Sequence, residues 1–460
     1  MKNLILQVGR IDSRFNIPIS FKYNDGDSEK KKSYPLSSFF WKNEVLNKDE
    51  TEILLLYPVS LPIQDINDTS NEFLKEVANL NIDDYLKNPN DFFQKHPHSE
   101  GNEFLVINSI GTYKKDNKTY SFYSSIEEIT LQILLKLVKE YSDIDNIYID
   151  ISSGQNIYIT SMINAIYRFI PYHEILHGFG QNKKLNAYII SCDPIIPGLS
   201  NHSYTLSSTK FSAKAFFELP YNIEKLNDFD SLLSKINKRN FKEFIKTDFP
   251  ILFYSFKFSF VPLLIYLKSR EIQNKWEIKD LVCAIYDYVN DNKFNCENNN
   301  KKIFFSEIVG VLFSSAFYKL FCSLLKDLKD LDEIQIKVLM NDKGSVDDIE
   351  IDRNETFKQI FNQIKNIQNY DKFKNELNET IKSVDFSKLS NSYSRDVFME
   401  SYRLNTQFNP RNYVAHYGLE KNSVEYKLIS ASNNSYEISI KNVDNIDDKF
   451  RNIIRECQKY

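Results

Sequence analysis

The sequence predicts an α/β N-terminal domain on a mostly parallel, doubly wound sheet, followed by an all-α C-terminal domain with a small β-hairpin insertion. Three observations predict it. Short apolar runs alternate with amphipathic helical stretches over residues 1–205, the signature of successive βαβ units. Long helical patterns take over across residues 206–460. Within them Val424–Ser430 and Tyr436–Ile440 alternate about Asn433-Asn434, as the two arms of a hairpin do.

Taken in order, Asn3–Val8 is an apolar run stopped by Gly9, which reads as a buried strand. Asp25-Gly26 between Phe21–Tyr23 and Lys32–Tyr34 marks a hairpin. Glu52–Tyr57 is a strand, and a helix follows from an N-cap at Ser70 to about Leu80. Phe104–Ile110 is the next strand. Ser125–Tyr141 sets Ile126, Ile129, Ile133, Leu134 and Leu137 at helical spacing. Asn146–Ile151 is a strand, Asn156–Ile170 a helix and Asn186–Ser191 a strand. Beyond 205, helices are expected over Ser212–Phe217, Asp228–Phe244, Phe253–Lys268, Ile278–Val289, Phe304–Leu328, Glu355–Ile367 and Asp371–Val384. A polar loop covers Asp291–Lys302, and a last helix starts near Asp444.

A chain of 460 residues exceeds one ordinary core, so two or three domains are expected. The net charge of −4 argues against a broad nucleic-acid-coating surface and leaves room for a local basic groove. Cys192, Cys283, Cys296, Cys322 and Cys457 are scattered without a CxxC pair and read as reduced thiols of a cytoplasmic protein. Leu4-Ile5-Leu6 is too short a run for a signal peptide. Phe249–Leu267 contains Pro250, Lys257 and Pro262, and Ile308–Leu325 contains Lys319. Both read as core helices, and no membrane partner is expected.

Three stretches carry candidate chemistry. Asp150-Ile151-Ser152-Ser153-Gly154-Gln155-Asn156 follows a strand and opens a helix. Ligands of doubly wound sheets bind at such carboxyl ends, where hydroxyls, a glycine and helix N–H groups suit an anion. The first strand ends comparably at Gly9-Arg10-Ile11-Asp12-Ser13, and two loops at one sheet edge can share a ligand. An N-capped helix without a ligand is the alternative reading. The second stretch is Asn409–Gly418, a short helix with Asn409 as N-cap, Pro410 at the first position and Gly418 as stop. It carries Arg411, Asn412 and His416. Arg411 and His416 differ by about 7.5 Å of rise and about 140° of rotation, so both can border one groove. An arginine that holds phosphate and a histidine that moves a proton suit phosphodiester cleavage. A surface helix with a stray histidine is the alternative.

The third stretch, His173-Glu174-Ile175-Leu176-His177, matches the zinc pattern HExxH. Pro171 upstream and Gly178 and Gly180 downstream shorten its helix, and Lys183 stands where a third histidine belongs. No metal site is assigned, and a zinc hydrolase using this segment is kept as an alternative. His96 and His98, in a polar stretch, read as solvated.

With these stretches in view, the chain resembles the CARF–HEPN ancillary ribonucleases of type III CRISPR systems. Asp150–Asn156 after its strand is similar to a CARF domain, a CRISPR-associated Rossmann-like fold. Arg411–His416 is similar to the R-x4-6-H motif of HEPN ribonucleases, whose arginine is commonly followed by a polar residue, here Asn412. Ser152-Ser153 depart from the pattern, since many CARF relatives carry His or Thr beside the glycine. The resemblance implies a CARF domain over 1–205 and a HEPN domain over 206–460. It implies a homodimer or higher oligomer that binds a cyclic oligoadenylate, cyclic tetra-adenylate first, near Gly9, Arg10, Asp12, Ser13, Ser152, Ser153, Gly154, Gln155 and Asn156. It further implies that Arg411, Asn412 and His416 of paired HEPN domains cut single-stranded RNA without a metal or other cofactor in antiviral defence, leaving 2′,3′-cyclic phosphate ends. A ligand-sensing regulator that binds nucleic acid without cutting it is the competing class.

Overall fold

The structure, a computed structural model, describes residues 1–11, 17–26, 28–64, 71–179, 183–194, 202–216, 218–222, 233–234, 244–269, 278–290, 304–328, 330–343, 345–382, 408–419, 424–432, 435–442 and 446–460. The chain divides into two compact units, one of 1–174, 182–216 and 279–308, the other of 175–181, 217–278 and 309–460. The units are discontinuous in sequence, where a single division at 205/206 is the sequence expectation.

The first unit runs β1 (Asn3–Val8), β2 (Ile19–Asn24), β3 (Glu29–Tyr34), α1 (Ser37–Phe40) and β4 (Thr51–Pro58). It continues with α2 (Glu72–Ala78), α3 (Ile82–Tyr85), α4 (Pro89–Gln94), β5 (Glu103–Ile107), β6 (Ile110–Lys115) and β7 (Lys118–Tyr123). Then come α5 (Ile126–Glu140), β8 (Asn146–Asp150), α6 (Asn156–Leu176), β9 (Asn186–Cys192) and β10 (Tyr204–Phe211). Eight strands form one sheet in the order β3-β2-β10-β9-β8-β1-β4-β5. The run β9-β8-β1-β4-β5 is parallel, and β10 is antiparallel to β9. This is the expected Rossmann-like α/β sheet. Every residue of β1 is buried, as a strand covered on both faces requires. A polar ladder pins the register at the amino ends: Asn186 donates to Asn146 (3.2 Å), Asn146 to Asn3 (2.8 Å) and Asn3 to Thr51 (3.1 Å).

The topology creates a crevice. From β1 the chain moves outward to β4 and β5, then returns to β8 on the other side of β1 and on to β9. Strand order therefore reverses between β1 and β8, and ligands of open α/β sheets bind at the carboxyl ends there.

Several local expectations are corrected. The helix expected at Asn156–Ile170 runs through Pro171 to Leu176, because buried Phe169, Ile170, Tyr172 and His173 anchor the turns that the proline interrupts. A second hairpin, β6-β7, follows β5. His96 and His98 are 1% and 2% exposed, inside a cluster of aromatic rings, and are not solvated. Ser70 and most of Asp228–Phe244 lie outside the described residues, as do Asp291–Lys302 and Asp444.

Next in chain order are α7 (Phe249–Lys257), α8 (Val261–Ser269), α9 (Ile278–Asn290), α10 (Phe305–Lys326), β11 (Ile334–Met340) and β12 (Val346–Ile351). They are followed by α11 (Asn354–Gln363), α12 (Ile367–Lys382), α13 (Pro410–Ala415), β13 (Val424–Ser432), β14 (Ser435–Asn442) and α14 (Phe450–Cys457). The second unit is not all-α. The expected hairpin β13-β14 is half of a four-stranded antiparallel sheet, β12-β11-β14-β13. Ile334, Ile336 and Val338 alternate inward on β11, the period of a half-buried strand. Ser212–Phe216 is not helical. The helix expected over Phe253–Lys268 is two helices, broken at Ser259, whose φ of +56° is left-handed. Stacked rings fill the core, with Phe256 on Phe321 at 4.4 Å and Phe361 on Tyr370 at 5.3 Å. α10 is long and apolar enough to cross a membrane, and 72% of its most apolar window is buried, as in a core helix.

Candidate functional site

Each unit holds one of the sequence-derived sites. In the first unit Gln7 on β1 and Asp150 on β8 are register partners, both fully buried at the carboxyl ends where strand order reverses. Gln7 is the polar exception near the end of an apolar strand. Its Nε2 lies 2.9 Å from Ser153 Oγ, 3.0 Å from Ser37 Oγ and 3.3 Å from Ser152 Oγ, and its Oε1 accepts from Ser38 at 2.5 Å. Ser37 donates to Asp150 Oδ2 at 2.6 Å and also meets Ser152 Oγ. Ser152 gives Asp150 Oδ1 its backbone N–H at 2.9 Å and its hydroxyl at 2.5 Å. Ser153 donates to the Val8 carbonyl at 2.9 Å. Burial pushes the Asp150 carboxyl up, and the bonds from Ser152 and Ser37 partly offset this. The network joins β1, β8 and the start of α1 beneath the Ser152–Asn156 loop.

Above it, Gly154, Gln155 and Asn156 are exposed. Gly154 has φ +105°, and a Cβ there would lie 2.6 Å from Val8 Cβ, so the turn requires glycine. The 21-residue α6 starts at this loop, and its first N–H groups form the positive end of the helix dipole.

The β1 loop is held from below. Gly9 donates its N–H to the Leu56 carbonyl at 2.9 Å. The Tyr57 ring lies against Gly9 and stacks on Phe93 at 4.4 Å. His96 Nδ1 accepts the His98 N–H at 3.1 Å, so Nε2 carries the proton and donates to the Arg10 carbonyl at 3.3 Å. Burial, chiefly, lowers the His96 pKa from 6.5 to about 3, so the ring is neutral at physiological pH. Gln64 donates to the Ile11 carbonyl at 2.5 Å. Asp12 and Ser13 lie outside the described residues. The structure thus brings Gly9, Arg10 and Ser152–Asn156 to one sheet edge. A cavity of about 560 Å³ is lined by residues at the opposite, amino ends of the strands, where Asp49, Glu50, Glu52, Glu140 and Asp143 outnumber Lys2 and the Met1 ammonium, so the lining is net negative and disfavours anions.

In the second unit Asn409 caps α13 through its side chain, accepting from Arg411 N at 3.0 Å and Asn412 N at 3.3 Å. Tyr413 and Val414 are buried, and Tyr413 meets Phe260 edge-on at 5.0 Å. Arg411, Asn412 and His416 are exposed. Among the described residues Arg411 forms no ion pair, whereas His416 Nδ1 lies 2.6 Å from Glu376 Oε1 on α12. Burial raises the Tyr417 phenol, and the Glu376 charge adds to this. Asn366 and Asn369, at the start of α12, donate to the Lys257 carbonyl at 2.7 and 2.8 Å and hold that helix against the end of α7.

His173 is fully buried beside Phe169, and among the described residues no group of three or more His, Cys, Asp or Glu forms a ligand cluster. Sequence reasoning missed Gln7, Ser37, Ser38 and Glu376. Gln7 carried a signal, a polar residue inside ILQV beside a candidate loop. Ser37, Ser38 and Glu376 are joined to their partners only by the fold.

Residues 6–194 match the family model for the CARF domain of the CRISPR system endoribonuclease Csx1. The match covers the carboxyl half of β1 with Gln7, the crevice network and both loops of the first site, so this part of the chain is similar to a CRISPR-associated, ligand-sensing CARF domain. No curated protein matches the chain.

Proposed function

We propose that this chain is a cyclic-oligoadenylate-activated, metal-independent endoribonuclease of type III CRISPR defence. The observation that carries the reading is the match of residues 6–194 to the CARF domain of an endoribonuclease. The crevice between β1 and β8 supports it, with exposed Gly154–Asn156 at the start of α6 available to the phosphates of a ring such as cyclic tetra-adenylate. In this reading a homodimer or higher oligomer encloses the ring at its CARF domains. Binding shifts paired HEPN domains, each built on the second unit, toward a cutting arrangement. The exposed Arg411, with no ion pair among the described residues, holds the scissile phosphate of single-stranded RNA. Asn412 orients that phosphate, and His416 moves a proton. The 2′-oxygen attacks phosphorus and loses its proton, the P–O5′ bond breaks, and the products are a 2′,3′-cyclic phosphate and a 5′-hydroxyl. RNA supplies its own nucleophile, so the protein need only position, neutralise charge and shuttle the proton.

The test is cleavage of labelled single-stranded RNA in EDTA, with and without cyclic tetra- or hexa-adenylate. Cutting that requires one ring and is lost in Arg411→Ala and His416→Ala is the expected result. No cutting with either ring, or normal cutting by either variant, overturns the reading.

A further inference from the structure

We infer that Glu376 is a positioning residue that fixes the tautomer of His416 and assigns its Nε2 the role of base, an inference that rests on the ribonuclease reading. The motif supplies only Arg411, Asn412 and His416, and nothing in it calls for a carboxylate 40 residues upstream. The fold supplies one, with Glu376 Oε1 2.6 Å from His416 Nδ1. An ionised carboxylate only accepts hydrogen bonds, so Nδ1 must carry a proton. In the neutral ring Nε2 is then the lone-pair nitrogen. Among the described residues nothing bonds to Nε2, and the His416 side chain is 49% exposed, so that nitrogen is open to a substrate.

Both partners sit on anchored supports. α12 is fixed by buried Tyr370, Phe373, Leu377 and Ile381. The chain after His416 turns at once, with Tyr417 at φ +51° and Gly418 at φ +82°. A Cβ on Gly418 would lie 3.2 Å from Phe260 Cβ, so the turn is seated against the core. The imidazole is therefore oriented before substrate arrives, the condition under which a base is most effective. In the resulting step Nε2 takes the 2′-hydroxyl proton as the 2′-oxygen bonds to phosphorus. The P–O5′ bond breaks, water protonates the departing 5′-oxygen, and the imidazolium returns its proton to solvent. Glu376 holds Nδ1–H throughout and touches neither bond.

The test compares Glu376→Ala, Glu376→Gln and His416→Ala in the full chain with its activating ring. Two readouts are taken: RNA cleavage kinetics, and the tautomer of His416 from ring ¹⁵N shifts, its signal assigned by its loss in His416→Ala. The inference expects Glu376→Ala to lower kcat by up to about a hundredfold, the low end of what a positioned base contributes, with KM for RNA unchanged, and to move His416 away from the Nδ1–H form. Glu376→Gln, whose carbonyl still accepts from Nδ1, restores the tautomer and part of kcat. If His416→Ala abolishes cutting while Glu376→Ala leaves kcat and tautomer as they were, the inference falls alone. If His416→Ala cuts normally, the ribonuclease reading falls and takes the inference with it.

Discussion

Gly9 and Tyr57 are packed in direct contact: a Cβ built on Gly9 would lie 2.2 Å from Tyr57 Cε1. Tyr57 cannot yield cheaply, since its ring stacks on Phe93 and is fully buried. Gly9→Ala is therefore expected to destabilise the protein by about 1–3 kcal/mol. The measurement is the urea midpoint. The same substitution in a Tyr57→Leu background should cost less than it does alone, because the obstructing ring is gone.

Gln7→Leu removes the amide that links Ser37, Ser38, Ser152 and Ser153 while keeping the side chain's bulk. Buried hydroxyls left without that partner cost about 1–3 kcal/mol. Thermal unfolding should show the loss. Calorimetric titration with cyclic tetra-adenylate, the proposed activator, should show weaker binding at a temperature where the variant is folded, since the Ser152–Asn156 loop loses its floor.

His96 gives a pH prediction. Its pKa is depressed from 6.5 to about 3 in the fold, chiefly by burial. The unfolded chain thus takes up a proton at this ring before the folded one does. Stability from this group is full above pH 6.5 and is lost as pH falls toward 3, by at most about 1.4 kcal/mol per pH unit. Denaturant titrations between pH 7 and 4 should show a shallower loss in His96→Gln than in the parent.

Asn146 both donates and accepts in the ladder from Asn186 to Thr51. Asn146→Ala leaves the buried side-chain oxygen Oδ1 of Asn3 without this donor. About 1–2 kcal/mol of destabilisation is expected by chemical denaturation. Binding of the proposed activator, cyclic tetra-adenylate, should be little changed, because the ladder lies at the far ends of the strands.

Local chemistry was legible wherever a segment's own residues decide it. β1, β4, β8, β9, α5 and the cap of α13 follow from apolar runs, Ser125 and Asn409-Pro410, and they lie within a few residues of expectation. β11 and β12 were not legible. Ile334–Met340 is too short and too interleaved with charge to declare itself, and it becomes a strand by pairing with β14 from a hundred residues downstream. His96 and His98 depart from the sequence expectation for the same reason, because a polar neighbourhood in sequence is an aromatic pocket in space.

The sequence by itself determined the parallel α/β sheet, the two loops at its carboxyl edge and the short helix bearing Arg411 and His416, because periodicity, caps and turn residues act within a few positions. Only the tertiary structure decided that Gln7 meets Asp150, that Tyr57 closes beneath Gly9 and that Glu376 takes His416 Nδ1. Those contacts join residues 40 or more positions apart, and which of many possible partners meet is set by how the layers pack together, a choice that no local preference encodes.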